Sequence, residues 1–130
     1  MTTKILMVDD EPDAEELFRQ NFRREIRKGV YNFIFAQSGQ EALDALADED
    51  GSSLLLLLSD INMPGMTGLE LLDEVRQQYS NLPIYMVTAY GDDETRKIAE
   101  TKGAQDLLSK PVDFVHLKQR LNELVENLGA

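Results

Sequence analysis

Cysteine and tryptophan are absent from this chain, histidine occurs once, and 13 basic residues face 24 acidic ones. Without cysteine there are no disulfides and no thiolate chemistry, which accords with a reducing compartment. The lone His116 leaves a His-rich metal centre without ligands, and its charged neighbours read as a solvated helix surface. A net charge of −11 and a pI of about 4.4 oppose direct nucleic acid binding, which needs clustered Lys and Arg. The longest apolar run, Leu54-Leu55-Leu56-Leu57-Leu58, is far short of the roughly 20 residues that cross a bilayer. Met1-Thr2-Thr3-Lys4 leads straight into a short strand-like run with no signal-peptide core. The expectation is a cytoplasmic protein without membrane contact. What remains, 42% apolar and 28% charged over 130 residues, suits one globular domain spanning 1–130, with no effector domain attached.

Apolar runs alternate with amphipathic stretches along the whole chain. Lys4-Ile5-Leu6-Met7-Val8 reads as the first strand and ends at Asp9-Asp10-Glu11, with Pro12 in the first helical turn. Leu17, Phe18, Phe22 and Ile26 then recur at helical spacing, and Gly29 closes that helix. Aromatic-rich residues 31–36 form strand two. Ser38 and Glu41 make a capping box that opens helix two. A polar loop over 48–53 precedes strand three at 54–59, whose unbroken leucines suit burial on both faces. Helix three starts near Thr67-Gly68 and turns Leu69, Leu72 and Val75 inward. Residues 84–88 are strand four, and helix four, 94–101, has only Ile98 and Ala99 to anchor it. Residues 106–109 are strand five, Asp113 is an N-cap, and Phe114, Leu117, Leu121, Leu124 and Leu128 stripe the last helix. Five strands alternating with five helices through short connections predict an α/β fold, a doubly wound parallel sheet.

In such a sheet the strand carboxyl ends share one edge, where ligands bind. That edge receives Asp9 and Asp10 from strand one, Asp60 from strand three, Thr88 from strand four and Lys110 from strand five. Two carboxylates about 4 Å apart repel by roughly 4 kcal/mol at an effective dielectric of 20, so three need more than one lysine. An all-oxygen, open site selects a hard ion, Mg²⁺ before Ca²⁺. Each residue also has an ordinary reading. An acidic pair before a helix complements its dipole. Asp60 before Met63-Pro64-Gly65 could be a turn residue, Thr88 could satisfy backbone, and Lys110 could be a solvated lysine. Only their convergence favours chemistry.

Val8-Asp9-Asp10-Glu11-Pro12, Ser59-Asp60-Ile61-Asn62-Met63-Pro64, Val87-Thr88-Ala89 and Lys110-Pro111 stand in order, each at a strand end. Together they resemble the receiver domain of response regulators, the phosphoacceptor modules of two-component signalling. The resemblance implies a flavodoxin-like (βα)5 fold with strand order 2-1-3-4-5 and a cis Lys110-Pro111 bond. It implies that Asp60 is the phosphoacceptor, that Asp9, Asp10, Asp60 and the backbone carbonyl of Asn62 bind Mg²⁺, and that Thr88 and Lys110 meet the phosphoryl oxygens. The implied partners are a histidine kinase or phosphotransfer protein and a downstream protein or fused output domain; a homodimer is left open. The output face is helix four, strand five and helix five, and the module catalyses only its own loading and slow dephosphorylation.

Two rival classes share the topology. A Mg²⁺ phosphohydrolase with an aspartyl-phosphate intermediate needs an acid two residues after its nucleophile, and Asn62 stands there. A flavin-binding domain needs a Ser/Thr/Gly-rich phosphate loop after strand one, where this chain has three acids. The chain also departs from the receiver pattern. Leu107 stands where an aromatic residue usually switches, and Val112 where a Phe often follows the proline. Tyr90, on the loop leaving strand four, is expected to shield the phosphoryl group from water.

Overall fold

Chain segments that bury both faces must sit inside a sheet, and the leucine run does so. In a computed structural model, which describes residues 3–49, 54–89 and 93–129, β3 (Leu54–Asp60) is buried along its whole length. It lies at the centre of a five-stranded parallel sheet of order β2-β1-β3-β4-β5. The other strands are β1 (Thr3–Val8), β2 (Tyr31–Ala36), β4 (Ile84–Thr88) and β5 (Asp106–Ser109). The helices are α1 (Pro12–Asn21), α2 (Arg23–Arg27), α3 (Gly39–Glu49), α4 (Gly68–Gln78), α5 (Asp93–Thr101) and α6 (Phe114–Gly129). The flavodoxin-like fold and its strand order are as expected. No helix among the described residues is long and apolar enough to cross a membrane.

Two apolar layers flank the sheet. Leu6, Val8, Leu57, Ile84 and Met86 meet α3, α4 and α5 on one side. Ile5, Met7, Leu56, Leu58, Tyr85 and Val87 meet α1 and α6 on the other. The second layer is aromatic: the Phe22 and Phe33 rings lie 4.9 Å apart, and Phe18 and Phe114 meet edge to face at 5.0 Å. Each fully buried side chain of this kind contributes about 1.5–3 kcal/mol relative to exposure. A register shift between Lys4 and Ile5 pairs Lys4 with Leu54 but Ile5 with Leu56, so Leu55 is an extra residue in β3. Five identical side chains cannot reveal such a bulge by alternation.

The structure corrects several element-level expectations. The first helix is two helices, broken at Phe22 (φ −108°, ψ 17°), so the fourth and fifth predicted helices are α5 and α6. Burial of the Phe22 ring beside Tyr31 and Phe33 accompanies the break. Gly29 does close the pair, at φ +75°, a conformation that suits glycine. Leu17, expected inward, is 45% exposed, and Ile98, expected to anchor α5, is 39% exposed, leaving Ala99 as that helix's buried residue. In α4 the buried row is Leu71, Leu72 and Val75, with Leu69 at its margin. Ser38 caps α3 through the Glu41 N–H at 3.1 Å, and Thr67 and Glu70 form a full capping box on α4. Asp113 caps α6 by accepting from the His116 N–H at 3.1 Å.

Candidate functional site

Strand register alone brings the singled-out residues to one place. Val8 pairs with Ser59, which puts Asp9 beside Asp60. Asp60 pairs with Val87, so Thr88 lies one residue beyond, and Thr88 pairs with Ser109, so Lys110 leaves the sheet next to it. The Lys110 N–H donates to the Thr88 carbonyl at 2.8 Å, and the Lys110-Pro111 peptide is cis. The loops then follow the strands: the Asp9 N–H still donates to the Ala36 carbonyl at 3.0 Å, and the Ile61 N–H to the Val87 carbonyl at 2.9 Å.

The side chains form one charged cluster sunk into the sheet edge. Asp60 is 4% exposed, Asp9 5% and Thr88 1%, while Asp10 is half-buried. Lys110 reaches between two carboxylates, donating from Nζ to Asp60 Oδ2 at 2.9 Å and to Asp9 Oδ2 at 3.2 Å. Backbone donors hold the other oxygens: the Asn62 N–H to Asp60 Oδ1 at 3.2 Å and the Glu11 N–H to Asp9 Oδ1 at 3.0 Å. Burial alone would push the Lys110 ammonium down. The hydrogen bond to Asp60 and the charges of Asp60 and Asp9 more than offset it and hold Lys110 above its ordinary value. The lysine is therefore a fixed positive charge at neutral pH.

Charge does not balance within the cluster. One oxygen from each of Asp9, Asp10 and Asp60 falls within 4.8 Å of the others, against the single Lys110 ammonium. Three carboxylate oxygens at that spacing suit a hard divalent cation, and burial and hydrogen bonds already hold two of the three, Asp9 and Asp60, in place. Asn62 itself is exposed and contributes its N–H to the Asp60 carboxylate. Tyr90 lies outside the described residues.

Comparison with known proteins decides what this edge belongs to. The sequence profile of the response regulator receiver domain matches residues 5–122. The chain belongs to the response regulator receiver domain family. The receiver domain is 36% identical over 113 residues to the response regulator protein FleR of Pseudomonas aeruginosa, covering 87% of this chain and 22% of that protein. It is 34% identical over 122 residues to the transcriptional regulatory protein CpxR of Escherichia coli, covering 94% of this chain and 49% of CpxR. It thus spans about half or less of these curated relatives. Among solved structures, the CheX-CheY-BeF3-Mg²⁺ complex of Borrelia burgdorferi superposes with a TM-score of 0.83 at 27% identity, covering 95% of this chain and 89% of that one. Receiver domains are signalling modules of two-component systems, and they bind Mg²⁺ in an acidic pocket.

Two residues that shape this receiver domain's site, Ser59 and Gly68, escaped the sequence reading as site residues. Ser59 is buried, and its hydroxyl donates to the Asp60 carbonyl at 3.0 Å. Gly68 packs against the same backbone, and its N–H donates to the Ile61 carbonyl at 2.8 Å. Its one legible signal is a glycine at the first position of a capped helix, where a side chain would normally be welcome. Leu107 is buried in the α5-side layer beside Met86, its partner in β4. On the surface formed by α5, β5 and α6, Asp106 is bridged by Arg120 of α6 at 2.9 Å and approached by Arg96 of α5 at 3.9 Å.

Proposed function

We propose that Asp60 accepts a phosphoryl group from a phosphohistidine on a histidine kinase or phosphotransfer protein. The observation that carries the reading is a buried carboxylate whose Oδ2 sits 2.9 Å from the Lys110 ammonium within a three-carboxylate cluster. In the transfer, the P–N bond of the donor breaks and an O–P bond to Asp60 forms, with the imidazole leaving as the electron pair returns to nitrogen. No base is needed, because a carboxylate is already ionised; positioning and charge do the work. Asp60 is positioned by β3 and by the Asn62 N–H. Lys110 follows the charge to the phosphoryl oxygens, and Thr88, on the adjacent strand, donates to one of them.

Asp9, Asp10, Asp60 and the backbone carbonyl of Asn62 would hold Mg²⁺. When bound, it neutralises the charge of the phosphoryl oxygens. The Borrelia relative solved with Mg²⁺ and BeF3 supports both parts of the reading. The added group changes charge at the sheet edge and biases the α5–β5–α6 surface toward a second arrangement read by a downstream protein or fused domain. Asn62 occupies the place a phosphohydrolase reserves for its acid, so the adduct hydrolyses slowly and the module turns over only its own phosphoryl group.

Borohydride reduction after loading with acetyl phosphate and Mg²⁺ tests the site, because hydride reduces an acyl phosphate. Peptide mapping should find reduced aspartate at position 60. Reduction at Asp9 or Asp10 instead, or sustained turnover of a phosphomonoester, would overturn the assignment.

A further inference from the structure

The charge of this chain is segregated. Residues 19–28, Arg-Gln-Asn-Phe-Arg-Arg-Glu-Ile-Arg-Lys, hold five of the 13 basic side chains and one of the 24 acids. That single acid is already engaged: Glu25 takes the Lys118 ammonium at 2.9 Å. Arg23, Arg24, Arg27 and Lys28 are exposed and form no ion pair among the described residues. With Gln20 and Lys118 the three arginines border an open groove of about 480 Å³ between α1, α2 and α6. The Val30 carbonyl accepts from the Thr3 N–H at 3.1 Å, so this segment meets the amino end of β1, the sheet edge opposite Asp60. It is remote from the phosphoacceptor chemistry and unused by it.

We propose that this face docks an acidic segment of a partner protein, a helix or extended strand bearing a few Asp and Glu side chains. Guanidinium forks pair carboxylates two bonds at a time, and three of them point from one short stretch. The size of the patch selects the occupant. Ten residues of helical rise cover only about 15 Å. A nucleic acid duplex, with a charge every 1.7 Å or so, or an anionic membrane plane would run past it onto the acidic remainder. At physiological salt, repulsion acts over about 8 Å, so a compact acidic segment feels the patch while a longer polyanion feels the whole chain. The described residues of the patch also present no exposed aromatic ring on which bases could stack.

Fluorescence anisotropy with the full chain and a dye-labelled peptide of about eight glutamates, long enough to cover the patch, tests this. The peptide should bind, and binding should weaken as salt rises. Arg23→Gln with Arg27→Gln should weaken it about fivefold or more, as expected for losing two exposed charge pairs. Lys97→Gln with Lys102→Gln, an equal charge change elsewhere, should leave it unchanged. Arg23, Arg27 and Lys97 are exposed and helical, where Gln keeps helix propensity, and Lys102 gives up one surface ion pair with Asp73, so both double variants should fold with unfolding midpoints close to wild type. Four results would overturn the proposal: no binding at low salt, equal weakening by both pairs, tighter retention of single-stranded DNA or phosphatidylserine vesicles than of the peptide, or a dimer in sedimentation that depends on Arg23 and Arg27.

Discussion

A Cβ placed on Gly68 would lie 2.1 Å from the Asp60 carbonyl oxygen and 2.7 Å from the Ile61 Cα. Those are backbone atoms, which cannot swing aside as a side chain would. The first turn of α4 therefore sits against the end of β3 only because residue 68 has no side chain, and that contact fixes where Asp60 projects. Gly68→Ala should cost about 1–3 kcal/mol in urea denaturation, the range for forced overpacking. It should also slow phosphoryl loading, since the displaced backbone carries the acceptor. Unchanged stability and rate would show that the turn yields freely. Asp9, Asp10, Asp60, Thr88 and Lys110 were legible because each ends an apolar run, and register does the rest. Gly68 was not, because its reason is a through-space approach to a backbone eight residues earlier.

Arg76 plays the comparable part between elements. Its guanidinium donates to the carbonyls of Tyr79 (3.1 Å), Ser80 (3.2 Å) and Leu82 (2.7 Å), and to Gly103 at 2.7 Å, tying the end of α4 to the loop after α5. Arg76→Ala should lower stability by about 1–3 kcal/mol by chemical denaturation, because partly buried carbonyls lose their donor. Arg76→Lys should recover little, since an ammonium cannot span the same acceptors. A second tie joins α2 to α6 through Glu25 and Lys118. Burial would raise the Glu25 pKa, but the Lys118 hydrogen bond, a backbone hydrogen bond and nearby positive charge outweigh it, so the carboxyl lies below its ordinary 4.5. A depressed folded pKa gives stability that is present above about 4.5 and is lost as pH falls through the folded value. Glu25→Gln should therefore be less stable at neutral pH, by about 1 kcal/mol for a half-buried pair at the molecule's margin. The gap should narrow in denaturation curves as pH falls below 4.5 and through the folded value, where the wild-type group protonates. The sequence announced each helical stretch, yet it missed the break at Phe22, the outward Leu17 and Ile98, and the inward Leu71. Those depend on which neighbouring helix covers the row, which periodicity alone does not carry.

At the scale of the molecule, alternating strands and helices dictated a parallel sheet. The sheet's switch between β1 and β3 dictated where the charged edge opens. The bulge at Leu55 was hidden by a run of identical leucines, but it leaves the carboxyl-end register intact, which is why the site was readable and the strand's interior was not. The same whole-molecule view separates two ends: an acidic edge built around Asp60, and a basic opposite edge on a chain of net charge −11. The central claim concerns the first. Intact mass after incubation with acetyl phosphate and Mg²⁺ should show one added phosphoryl group on the wild-type chain. Chelation of the metal, Asp60→Asn and Asp60→Ala should each abolish it. An adduct that persists in both substituted chains would contradict the account, and so would a wild-type chain that stays unmodified with metal present.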